Sequence, residues 1–304
     1  MTSETGHPGD DVAVGVEVEF VGLSARAAIE ALRASLGGSI AEEDAHAFSL
    51  RDSAIGGVAI ELDLRHVHPH RAAPGLLKPR NGRTAAWLGT LVQPIVPREA
   101  IFAPRPSGRL SEIDEAIDVL RAAGAKGDGK TLFDTLGLHF NIAACRLDVA
   151  AIRSTTLAFA RLDSWMRADI ARGDRRLAAQ LAAPYPEAYR EALEHGSAHQ
   201  SQADFVDLYL THNPTRRRAL DLLPLLLHLD PERVRARLPF EKIAPRPVFH
   251  WRLPVAHVGR PHWGVMEDWG RWLAIEAEAA RIEAAGTSAG AYAETTSRSV
   301  IPRA

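Results

Sequence analysis

The sequence predicts an α+β protein: an antiparallel sheet with one polar face, joined to a block of helices. Three observations carry this. Short segments rich in β-branched residues place carboxylates, histidines or an arginine at every second position, with apolar side chains between. Asp-Ser and Gly-Gly steps separate two early segments at turn spacing. From about 148 to 238 the apolar residues recur instead at helical spacing, as in Ile152, Leu157, Leu162, Trp165 and Ile170.

Residues 1–10 are small and polar and read as a frayed lead-in. The first strand runs from Val12 to Phe20. Side chains alternate across a strand, so Glu17 and Glu19 share one face, while Val16, Val18 and Phe20 share the other. Ser24 is a candidate N-cap for a helix carrying Ala28, Ile29, Leu32 and Leu36, which Gly37 and Gly38 end. Two strands follow, Ala45–Arg51 and Val58–Leu64, and the second carries another acidic pair, Glu61 and Asp63. Residues 65–82 form a loop holding His66, His68 and His70.

Ile95 to Pro104 is a proline-bounded apolar strand interrupted by Glu99, which suits either a salt-bridged edge residue or a ligand. A helix from about Ser111 to Ala123 opens with Ser111 and Asp114 at capping-box spacing. Gly124, Gly127 and Gly129 make a turn without the spacing of a phosphate-binding loop. Leu136 to Ile142 is a strand with His139 and Asn141 on one face. The last strand, Arg246–Pro254, puts His250 and Arg252 opposite Phe249, Trp251 and Leu253. An amphipathic helix with Met266, Trp269, Leu273 and Ile275 closes the ordered chain, and 286–304 reads as a disordered tail. One domain over 11–285, with a helical subdomain about 148–238, is the expected organisation.

The totals exclude several classes. A net charge of −2 over 304 residues gives no basic field for nucleic acid. Cys145 is the only cysteine, so no internal disulfide forms. Met1 to Glu4 lacks a signal pattern, and no apolar run reaches bilayer length, so a cytoplasmic protein without a membrane partner is expected. Oligomeric state is not legible.

Two carboxylates side by side repel unless a cation or protons intervene. A divalent, oxygen-seeking ion such as Mg²⁺ satisfies the pair Glu17 and Glu19. Taken alone, that pair fits the solvated face of an edge strand better. Arg252 offers the planar fork that binds phosphate bidentately, and pairing with one of the glutamates is the alternative.

In order along the chain stand Gly15-Val16-Glu17-Val18-Glu19-Phe20, Val58-Ala59-Ile60-Glu61-Leu62-Asp63, Pro97-Arg98-Glu99-Ala100-Ile101, Gly137-Leu138-His139-Phe140-Asn141 and Phe249-His250-Trp251-Arg252-Leu253-Pro254. This set resembles the putative amidoligase family, among the glutamine synthetase and glutamate–cysteine ligase-like carboxylate–amine ligases. Asn213 to Pro224 also resembles a segment of one branch, and the likeness spans roughly 12–285. It implies a glutamine synthetase-like funnel, a curved antiparallel sheet with helices on its outer face. It also implies ATP and Mg²⁺ as cofactors, with small-molecule or peptide carboxylates and amines as substrates. By position it makes Glu17 and Glu19 metal ligands, with Glu61 and Glu99 the next candidates. His139 would contact metal or nucleotide phosphate, and Arg252 would steady the transferring phosphoryl group.

Two departures change ligand type. His250 holds the place of the glutamate in the Glu-x-Arg of glutamine synthetases, which keeps it a candidate metal ligand. Asn141 stands where many relatives have the second histidine of Gly-x-His-x-His. Glu99 also sits outside the family's usual Glu-Ile-x-x-Pro-Pro. The implied reaction converts a carboxylate into an acyl phosphate that an amine then attacks, with Glu61 or Asp63 taking the proton. Two other readings stand beside it: a metal-dependent hydrolase built on His66, His68 and the acidic strands, and a catalytically silent nucleotide- or peptide-binding protein of the same fold.

Overall fold

The computed structural model describes residues 12–62, 96–131, 135–196 and 201–298, with side chains to 285. By compactness the chain forms two units. The first comprises residues 1–143, 170–181 and 251–268; the second comprises 144–169, 182–250 and 269–304. The protein is α+β, with helices and an open antiparallel sheet.

In the first unit β1 (Ala13–Phe20) is the centre of the sheet. Around it lie β2 (Ser39–Asp44), β3 (Ala47–Ser53), β4 (Gly56–Leu62), β5 (Arg98–Pro106) and β6 (Leu138–Ala143), in the order β2-β3-β4-β5-β1-β6. Each of these pairs is antiparallel. Alternation sorts the two faces as the sequence predicts. Val14, Val16, Val18, Phe20, Ile60, Phe102, Leu138 and Phe140 are buried, whereas Glu17, Glu19, Glu61 and Glu99 stand partly exposed between them.

Helix α1 (Ala25–Leu36) covers the apolar face over β3 and β4 with Ala28, Ile29 and Leu32. Ser24 caps it, its Oγ accepting the Ala27 N–H at 3.2 Å. Such a cap stabilises by about 1 kcal/mol. Helix α2 (Ser111–Ala122) packs against α1 and buries Ile113, Ile117 and Leu120. The capping box expected at Ser111 is absent. A 3₁₀ turn over Ser107–Arg109 leads into the helix, and its N-cap is Leu110, without a side-chain bond. Asp114 instead accepts the N–H of Val265 at 2.6 Å. At Gly129, φ is +75° and a Cβ would meet the His257 ring at 2.4 Å, so this turn requires glycine.

The second unit is mainly helical. It contains most of α3 (Val149–Ala171), then α5 (Glu187–His195), α6 (Gln202–His212), α7 (Leu223–Leu229) and α8 (Pro231–Arg237), while α4 (Arg175–Gln180) belongs to the first. Its core stacks Tyr185, Tyr189 and Tyr209 edge to face, with centroids 5.0–6.2 Å apart. The Tyr185 hydroxyl donates to the Leu220 carbonyl at 2.7 Å, and the Tyr209 hydroxyl accepts the Leu222 N–H at 3.0 Å. Strand β7 (Leu220–Asp221) neighbours β8 (Val248–Trp251).

The closing helix α9 runs over Met266–Arg298. It buries Trp269, Trp272 and Ile275 but leaves Met266 and Leu273 exposed, so its inner stripe is narrower than the sequence suggests. Among the described residues, no helix is long and apolar enough to cross a membrane.

Candidate active site on the polar face of the sheet

Cross-strand register assembles the acidic residues. Residues directly opposite one another in an antiparallel pair project to the same face, with Cβ atoms about 5 Å apart. Glu19 is opposite Glu99 across β1 and β5, and Glu99 is opposite Glu61 across β5 and β4. One row across three strands therefore reads Glu61, Glu99, Glu19. Two residues along β1, Glu17 is opposite His139 on β6. Four carboxylates and an imidazole thus occupy neighbouring positions on a single face.

Several of these groups are held by their neighbours. His139 Nδ1 lies 3.2 Å from Glu17 Oε2, with the imidazole side chain only 11 % exposed. Asn141 Nδ2 donates to Glu17 Oε1 at 2.8 Å, and the Gly137 N–H donates to Glu19 Oε2 at 2.8 Å. Gly137 leaves room for this. A Cβ there would stand 2.7 Å from His139 Nε2 and 3.3 Å from Glu19 Oε1. The Gly-x-His spacing is therefore a packing requirement: the side chain two residues on folds back over the glycine.

Arg252 follows directly on β8. The Gly137–Val255 bridge and the bond from Leu138 N–H to the Pro254 carbonyl at 3.2 Å run this segment antiparallel beside β6. Trp251 packs on Phe140, with centroids 5.4 Å apart, on the apolar face. Arg252 is partly exposed and, among the described residues, makes no hydrogen bond or ion pair.

His250 is described within the second unit. It is 2 % exposed, and its Nδ1 lies 3.5 Å from Oδ2 of the fully buried Asp221. The Arg216 guanidinium reaches the same oxygen at 3.4 Å, while Asp221 Oδ1 accepts the Leu223 N–H at 3.0 Å. Asp63, His66, His68 and His70 lie outside the described residues.

The sequence reading gave Gly137 no part in the site, and it set Asn141 on the polar face, at the place of a relative's histidine, without assigning it a role. The signal for Asn141 was nevertheless present, since it stands two residues from His139 on the same strand. The donor set is carboxylate oxygen with one ring nitrogen and no thiolate. That is the chemistry of a hard divalent cation such as Mg²⁺ or Mn²⁺, so the residues fit such an ion.

The sequence model of the putative amidoligase enzyme family matches residues 10–274. No curated protein and no solved structure gives a significant match.

Proposed function

This chain belongs to the putative amidoligase enzyme family, and on that footing we propose that it is an ATP- and Mg²⁺-dependent carboxylate–amine ligase forming an amide or isopeptide bond. The observation that supports this best is the cross-strand row Glu61, Glu99, Glu19, with Glu17 and His139 beside it. Carboxylates directly opposite one another in a sheet repel, and a divalent cation between them would relieve that repulsion. In this reading the sheet is the wall of a glutamine synthetase-like funnel, with its polar face turned to the nucleotide.

Glu17, Glu19, Glu99 and His139 would hold the ion. When bound, it supplies positive charge against the phosphates of ATP. Arg252 binds the γ-phosphoryl group and takes up the negative charge that grows there during transfer. A substrate carboxylate oxygen attacks the γ-phosphorus, the bond to the bridging oxygen breaks, and ADP leaves. The amine nitrogen then attacks the acyl carbon and inorganic phosphate departs with the carboxylate oxygen. Glu61, outermost in the row, accepts the proton the amine gives up.

The test is phosphate release from ATP in the presence of pooled amines and carboxylates, resolved by substrate class. Release that needs both partners and Mg²⁺, and that Glu17→Gln abolishes, is the expected result. Amide hydrolysis by the protein without ATP would contradict the ligase reading.

A further inference from the structure

Resting on the cation site proposed above, we infer that Asn141 supplies a further ligand to it through its side-chain carbonyl oxygen. A carboxylate oxygen only accepts, so the atom of Asn141 that faces Glu17 Oε1 at 2.8 Å is the amide nitrogen. The carbonyl Oδ1 is therefore left on the other side of the amide, a fixed short step from the Glu17 carboxylate. It is buried and, among the described residues, accepts no hydrogen bond, while the whole residue is only 7 % exposed.

A buried acceptor left unsatisfied costs about 1–3 kcal/mol. It calls for an N–H donor or a positive charge. Glu17 and His139 are its neighbours on this face, and the Glu17 carboxylate adds negative charge that favours a cation close by. Amide carbonyls are regular oxygen ligands for hard divalent ions. Asn141 in place of a second histidine thus exchanges a ring nitrogen for a hard oxygen. The exchange tilts the site from zinc-like ions toward Mg²⁺ and Mn²⁺.

The experiment measures Mn²⁺ binding to the full chain without nucleotide, from the free-ion paramagnetic resonance signal. The proteins are wild type, Glu17→Gln, Asn141→Leu and Asn141→Asp. Asn141→Leu removes oxygen and nitrogen together, and should weaken binding at least about tenfold. Asn141→Asp removes the N–H donor to Glu17 but keeps an oxygen, and should hold Mn²⁺ within about threefold of wild type or tighter. Equal weakening by both would mean that only the bond to Glu17 matters, and would overturn the inference. So would unchanged binding by Asn141→Leu. If Asn141→Leu does not fold, Asn141→Ala is judged by the same criteria. Wild type that binds no Mn²⁺ would sink the cation site itself. Wild type that binds, Glu17→Gln that fails, and an indifferent Asn141→Leu would sink this inference alone.

Discussion

Glu19 and Glu99 are register partners across β1 and β5, so their carboxylates project side by side from one face of the sheet. Glu61 extends the row from the next strand. If the row holds a cation, removing one carboxylate weakens the metal's stabilisation of the folded state. Glu99→Gln should therefore shrink the rise in melting temperature on adding MgCl₂. Paired thermal melts with and without MgCl₂ check this, and an unchanged rise would remove Glu99 from the cation site.

Gly137 is confined by the side chains it serves. Gly137→Ala forces a methyl group to within 2.7 Å of His139 Nε2 unless the ring moves. Displacing His139 and Glu19 together should cost about 10–100-fold in Mn²⁺ affinity. The overpacking cost to stability should stay near 1–3 kcal/mol. Metal titration beside a urea melt separates the two effects. Full metal affinity in a folded Gly137→Ala protein would show that the ring position does not matter.

Arg252 tests the phosphate side. Since it has no hydrogen-bond or ion-pair partner among the described residues, Arg252→Ala should leave the melting temperature nearly unchanged. If it stabilises the transferring phosphoryl group, ATP-dependent phosphate release should fall about 10²–10³-fold. Unchanged release would remove it from the reaction.

His257 supplies a pH signature of its own. It is 7 % exposed, and its Nδ1 lies 2.9 Å from Asp128 Oδ1. Burial holds its pKa below the ordinary histidine value, only partly offset by the Asp128 carboxylate. Below that ordinary value, near 6.5, the unfolded chain takes up a proton that the folded protein resists. Stability from this group is therefore complete above about pH 6.5 and drains away as pH falls toward the lower folded value. Urea melts from pH 7.5 to 5.5 should show wild type losing more stability than His257→Gln. Parallel curves would mean that the imidazole titrates alike in both states.

The strands that carry the site were legible because alternation is a local pattern: β1 and β6 each show charged or polar residues between buried apolar ones. Strand β2 was missed for the same reason. Ser39 to Asp44 is a largely exposed edge with no apolar alternation, defined by its pairing with β3 rather than by its own residues. The cap expected at Ser111 failed because Asp114 is committed to Val265, a partner 151 residues away. Register was likewise out of reach. The sequence supplies Glu19, Glu61 and Glu99 on separate strands, but only the pairing of β4, β5 and β1 puts them in one row. The vacant acceptor of Asn141 depends on which amide atom Glu17 has already taken, a fact of three dimensions.

The most direct measurement is calorimetric titration of ATP into wild type and Glu17→Gln, each with and without MgCl₂. If the acidic row of the sheet holds the cation that carries the nucleotide, wild type binds ATP tightly only with Mg²⁺, and Glu17→Gln loses that difference. ATP binding that is equally strong in all four titrations, or absent from wild type with Mg²⁺, would contradict it.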